Sequence, residues 1–319
     1  MSKTLAGGRF TGYLFLAPYL TLFCVFLLLP LGYGLLLSFQ KYNMVESKDA
    51  TPTFIGFQNY YEALLKPGAD GTYGDKNFWL ALGATAKFVV MAVPCTVGLA
   101  LLLAVGINAV PARRQPIYRV AVFVPTMITI SVAGILWRWF YNSQFGIFNA
   151  VLRHVERALP FLQSLFGDTF APGWSNVPWI TNKAWAMPSI VLMTVWWTVG
   201  TPTVILLAGL KQIPEAYYEA AAIDGAVGWR RFVHITLPLL RPVLLFVIVI
   251  NVIGAFQIFG QTFIITGGEP ELTTRVLVQY IYETAFGLYR LGYGAAMSWV
   301  LFLIIMVFSL VQFRVLRER

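Results

Sequence analysis

The chain has 319 residues, 58% of them apolar and only 12% charged, with a net charge of +9 and a mean hydropathy of +0.70. A water-facing domain carries roughly a quarter charged residues, so a soluble enzyme, a disordered chain and a fibrous protein are all excluded. What remains is a polytopic membrane protein, all-α, with 27 glycines and 17 prolines that suit helices bent inside a bilayer.

A bilayer core of about 30 Å takes about 20 apolar residues in a helix. Six stretches qualify: 12–39, 78–107, 117–140, 184–210, 243–266 and 291–313. The first is longer than the apolar segment of a signal peptide and ends in no small-residue cleavage site, so it reads as a retained span. Pro94, Pro125, Pro188 and Pro202 are expected to kink or interrupt their spans. Cys24 and Cys95 sit in apolar runs and read as small buried hydrophobes. His154 and His234 are far apart in sequence, in no setting that resembles a catalytic triad or a metal site, and read as solvated or capping residues.

Lys and Arg bias in the connections sets orientation. The N-terminus, the 108–116 loop with Arg119, the 211–242 loop and the C-terminal tail together hold twelve basic residues against four acidic ones. The other segments hold eleven against ten. Both termini are therefore expected in the cytoplasm. The basic excess is a topology signal rather than a nucleic-acid signal, because no soluble basic face is interleaved with aromatics. Three segments then face outside: 40–77, 141–183 and 267–290. Within the second, 148–166 has apolar residues at helical spacing (Val151, Val155, Leu159, Leu162) opposite Arg153, Glu156 and Arg157. That pattern predicts an amphipathic helix resting on the membrane or on a partner.

The cytoplasmic segment after span four is the most informative. Pro214 and Glu215 suit a helix start, and Glu219-Ala220-Ala221-Ala222-Ile223 is strong helix former. Asp224-Gly225 then breaks it as a turn pair. A second short helix over 226–234 is expected to run toward a stop at Pro238. An interfacial hairpin would carry a bulky stripe; the alanines instead suit close approach to a protein groove.

Polar residues at membrane depth are candidates for a solute pathway. Thr194, Trp197, Thr198 and Thr201 fall at i, i+3, i+4 and i+7 and share a face of span four. Asn251, Gly254, Ala255, Ile258 and Gln261 share a face of span five, with Gln257 beside it. An aromatic plane with amides and hydroxyls matches the C–H face and hydroxyls of a sugar, although such groups also join helices to one another. Lys87 and Arg138 lie toward the outer ends of their spans and can snorkel. Neither candidate face is charged, which favours a neutral sugar, oligosaccharide or polyol over an anionic one.

The string Glu219 to Ala226, followed by Phe232, Ile235, Leu237 and Pro238, resembles the EAA loop of binding-protein-dependent ABC importer permeases. With Ile213-Pro214 and Tyr218 it is similar to the carbohydrate, maltose-type branch, as are Phe54-Ile-Gly-Phe-Gln-Asn-Tyr60 and Phe78-Trp-Leu-Ala-Leu82. The resemblance covers nearly the whole chain. It implies a type I importer permease fold with an N-terminal part (1–77), a five-helix permease core (78–314) and a short tail (315–319). It further implies that Glu219, Ala220, Ala221, Asp224 and Gly225 contact a cytoplasmic ATPase, with Gly225 permitting the bend. The expected partners are a second homologous permease in a heterodimer, two ATPase subunits and a soluble sugar-binding protein, besides membrane lipid, in a bacterial inner membrane. No phosphate-binding GxxxxGK[ST] string occurs, so ATP and Mg are expected on the ATPase and no cofactor on this non-catalytic chain. The competing class is an ion-driven secondary carrier, which calls for inverted repeats and buried carboxylates. No clear repeat is visible, and Glu283 is the only acid near a span.

Overall fold

The computed structural model describes residues 11–43, 51–67, 73–158 and 176–317. Among them, four helices are long and apolar enough to cross a membrane: Phe15–Ser38, Lys76–Ala109, Trp229–Phe256 and Leu291–Arg314. Two further spans are each a bent pair. Gln115–Met127 and Ile130–Phe140 meet at 94°, and Lys183–Thr198 and Gly200–Leu210 at 50°. The six expected spans are thus present, two of them broken.

The chain forms two compact units, Met1–Lys76 with Ile281–Leu303, and Asn77–Tyr280 with Ile304–Arg319. In the first, span one is exposed along nearly its whole length. It leads into a short antiparallel pair, Gln40–Lys41 with Thr53–Phe54, in register Gln40 to Phe54. Asn59, on the helix Gln58–Leu64, donates to the Ser38 and Gln40 carbonyls at 2.9 and 3.0 Å. Arg290 pairs with Glu62 at 2.8 Å and lies over the Tyr293 ring, whose hydroxyl reaches Asp75.

The second unit holds the main core, built on Phe88, Ala92, Trp137, Tyr141, Met187, Ile190, Met193 and Ile265. Its helices approach closely at glycines. A Cβ on Gly134 would meet Ile264, and one on Gly209 would meet Leu240. The tightest approach is at Gly200, where a Cβ would stand 2.6 Å from the Val122 carbonyl oxygen. Around the end of span three, the rings of Trp137, Phe140, Tyr141, Phe148 and Trp179 form a continuous cluster, with neighbouring centroids 5.3–6.2 Å apart. Tyr141, just past the end of span three, donates to the Ser189 carbonyl at 2.6 Å. Burial raises its phenol pKa well above the ordinary value.

Several expectations are corrected. Pro94 and Pro188 do not interrupt their helices, which run on without a break; the bends fall at 128–129, shortly after Pro125, and at 199, just before Pro202. Span five starts earlier than residue 243. The chain passes from Trp229–Arg231 through a π turn, Phe232–Thr236, directly into Leu237–Phe256. Pro238 is therefore no stop. It occupies the first turn of the new helix segment, where a missing N–H costs least, and the wider π turn precedes it. At the other end this helix stops at Phe256, and Gly260–Ile265 is a separate short helix. Cys24 and Cys95 are free thiols on exposed helix faces rather than core residues. Each histidine ring pairs through Nδ1 with the carbonyl four residues back in its own helix. The amphipathic helix expected in the 141–183 segment spans Ile147–Ala158; the remainder of the expected 148–166 element lies outside the described residues.

Candidate functional site

Two regions of the second unit carry the residues singled out from sequence. The first is a cavity of about 420 Å³ between spans two, three, four and five, within the size range of small-molecule sites. Thr194, Trp197, Thr198, Thr201, Asn251, Gly254, Ala255, Ile258 and Gln261 all border it. The bends bring about this convergence. Thr201 follows the span-four break, and Gln261 follows the break at 257–259, yet both turn toward the same space. Gln257 is set apart: it ends the span-five helix, donating its backbone N–H to the Gly254 carbonyl, and is exposed rather than bordering the cavity. Lys87 and Arg138 are exposed and border no part of it.

Phe88, Thr96 and Thr126 also border the cavity, as do Ala92, Val93, Pro202 and Ile250, and none of them was singled out from sequence as a pathway residue. Thr126 was the one with a usable signal, since it follows Pro125 inside a span. The break there leaves Ile128 extended (φ −74°, ψ 133°). Its carbonyl oxygen accepts the Trp197 indole N–H at 2.9 Å. One hydrogen bond thus satisfies a backbone group freed by the bend in span three and fixes the aromatic plane on span four.

The polar lining is mostly committed in one sense. Thr194 donates its hydroxyl to the Ile190 carbonyl (2.8 Å), Thr198 to Thr194 (2.7 Å) and Thr126 to Phe123 (2.6 Å). Asn251 donates its amide nitrogen to the Val247 carbonyl at 2.8 Å. The three threonine hydroxyl hydrogens and one of the two Asn251 amide hydrogens are spent on the backbone, so these four side chains keep acceptor lone pairs for a solute and Asn251 keeps one donor. Gln261 adds an amide with both capacities. No lining residue is charged, and no cluster of metal-ligating side chains occurs among the described residues.

The second region is the 211–242 segment. The helix Glu215–Ile223 ends at Asp224, with Gly225 following at φ +72°. The Gly225 N–H bonds to the Ala222 carbonyl (3.1 Å) and the Ala226 N–H to the Ala221 carbonyl (2.8 Å). This is the double hydrogen-bond pattern of a Schellman C-cap, which calls for a left-handed residue at that position. Glu219, Ala220, Asp224 and Gly225 are exposed, but Ala221 is only 5% exposed and points into its own chain. An alanine-rich helix has no amphipathic stripe to reveal which alanine turns inward. Ile223, Val227 and Trp229 are 88%, 67% and 75% exposed. They form an apolar surface on the segment that sequence reasoning did not select. Beneath it, Tyr218 lies under the Arg231 guanidinium and its hydroxyl meets Thr236.

A family model for the binding-protein-dependent transport system inner membrane component matches residues 88–317. The probable ABC transporter permease protein YesP of Bacillus subtilis is 33% identical over 98% of this chain and 92% of its own length. The sulfoquinovosyl glycerol transport system permease protein SmoG of Agrobacterium fabrum is 30% identical, covering 98% and 92%. Among solved structures, a bacterial ABC transporter that imports the acidic polysaccharide alginate shares the fold. Its TM-score is 0.72 at 22% identity, over 96% of this chain and 94% of that one. The multi-pass chain built around this cavity and this exposed helix belongs to the binding-protein-dependent ABC importer permeases.

Proposed function

We propose that the chain forms half of the transmembrane pathway of an ATP-driven carbohydrate importer, and that its cargo is an uncharged sugar, oligosaccharide or polyol. The observation that carries this reading is the cavity lining: acceptors from Thr126, Thr194, Thr198 and Asn251, the Trp197 plane, and no charge. Sugar hydroxyls can donate to these acceptors and accept from the Asn251 and Gln261 amides, and their C–H faces stack on an indole. An anionic cargo would meet lone pairs and no compensating cation, an unfavourable burial of charge. The acidic alternative is favoured by the likeness to the alginate importer, and the experiment below separates the two.

In this reading, Glu219, Ala220, Asp224 and Gly225, with Ile223, Val227 and Trp229, dock on one of two cytoplasmic ATPase subunits, which bind ATP and Mg. A second homologous permease closes the pathway as a heterodimer, and a soluble sugar-binding protein delivers cargo to the outer face. The basic bias of the 108–116 and 211–242 segments supports cytoplasmic termini in an inner membrane.

The test is ATP-dependent uptake by vesicles holding the complete transporter, with neutral oligosaccharides and uronate oligosaccharides offered in parallel. Neutral uptake that falls up to about tenfold in Asn251→Leu, the loss expected for one hydrogen bond, agrees with the assignment. Uptake of the uronate alone refutes the neutral cargo and leaves the importer standing. ATP-independent uptake driven by an ion gradient refutes the importer itself.

A further inference from the structure

We propose that the helix Ile147–Ala158 lies in the outer headgroup layer of the bilayer, with lipid acyl chains covering Ile147, Val151 and Val155. These three side chains recur every four residues and so form one row. They are 53%, 53% and 47% exposed. The opposite side of the helix is anchored to the protein. Asn149 is fully buried; its amide donates to the Val177 carbonyl at 3.1 Å, and its carbonyl oxygen accepts the Trp179 indole N–H at 2.9 Å. The outward row therefore has a fixed direction.

The depth of the helix is set by Phe148. Its ring stands 5.5 Å from Trp137, 6.2 Å from Phe140 and 5.3 Å from Tyr141, the last turn of span three. That turn also carries Trp139, 63% exposed beside Arg138, the pairing of aromatic and basic residues that marks a membrane boundary. Span four re-enters nearby, since the exposed Trp185 packs on Trp179 at 5.5 Å. Phe145, just before the helix (69% exposed), and Val132, Ile135 and Trp139 of span three are exposed apolar residues as well. Arg153 stays on the polar edge, donating to the Gln144 carbonyl. An amphipathic helix held at boundary depth, apolar row outward and basic edge beside it, matches the chemistry of a lipid surface. It would brace the outer half of the broken span whose inner break borders the cavity.

The full chain, with Cys24→Ala and Cys95→Ala, is labelled with an environment-sensitive fluorophore at Val151→Cys or, separately, Ile147→Cys. It is then reconstituted in phosphatidylcholine and phosphatidylglycerol vesicles. The expected result at both positions is loss of emission when the acyl chains are brominated near the headgroup, and little quenching by aqueous iodide. Iodide quenching with no effect of brominated lipid overturns the proposal by placing the row in water. Insensitivity to both quenchers overturns it by placing the row under protein, and iodide quenching relieved by a soluble binding protein assigns the row to that partner. Neither the cargo nor the ATPase enters these readouts, so the result is independent of the importer reading.

Discussion

Gly200→Ala tests the geometry that makes the cavity. The added Cβ would stand 2.6 Å from the Val122 carbonyl oxygen, 2.9 Å from the Phe123 Cα and 3.1 Å from the Thr126 Cγ2. Two of these three neighbours are backbone atoms, so no side-chain rotation relieves the overlap, and the inner half of span three must move away from span four. Overpacking of this kind costs about 1–3 kcal/mol. The backbone contacts place Gly200→Ala in the upper half of that range, where about 2 kcal/mol is a factor of roughly 30 in the folded-to-unfolded ratio. The displaced residue Thr126 is itself a cavity wall, so transport should fall together with stability. The control is Gly98→Ala, another helical glycine, where an added Cβ would have no atom within 4 Å and helix propensity gains up to about 1 kcal/mol. The assay is thermal unfolding of the purified chain in detergent beside uptake by vesicles. Equal unfolding midpoints for the two variants would refute the close-approach argument.

Three further outcomes are expected. Trp197→Phe keeps an aromatic face but loses the bond to the Ile128 carbonyl, about 1 kcal/mol; maximal uptake rate should fall more than the half-saturating cargo concentration rises. Gly225→Ala puts a side chain into a left-handed backbone at a cost of about 1–2 kcal/mol although its Cβ meets open space. Recovery of an ATPase by affinity purification should drop, and Gly225→Asn, whose residue tolerates that backbone, should restore most of it. The raised phenol pKa of Tyr141 favours folding while the group is protonated. Its contribution is constant below about pH 10, the ordinary phenol value, and is lost as pH rises beyond it. Denaturation of the purified chain against pH should show that alkaline slope reduced in Tyr141→Phe.

The spans were legible because continuous apolar runs are a one-dimensional signal, and the capped helix at Asp224-Gly225 because its turn chemistry is local. The bends were less so. Whether a span breaks near a proline depends on what the backbone groups left over at the break find: at Ile128 the partner is an indole 69 residues away in sequence. Pro94 has the same local signal and no break. For Thr194 and Asn251, helical periodicity was enough to reach the cavity. Phe88 and Thr96 escaped because span two offered nothing to single out its inner face, and Gln257 lies off the cavity because the helix carrying Asn251 ends one residue before it. The inward turn of Ala221 was hidden for a related reason: neighbouring alanines are indistinguishable until packing chooses among them.

The bond from Trp197 to Ile128 also restricts how such a pathway can diverge. Residue 197 holds the bent wall in place and presents a surface to the cavity, and tryptophan is the one ordinary side chain that offers a broad aromatic plane with a nitrogen donor at that reach. Thr194, Thr198 and Asn251 are under no such double obligation, since their backbone bonds stay within their own helices. Changes of cargo preference can accumulate at those three positions while the scaffold around the break is left untouched.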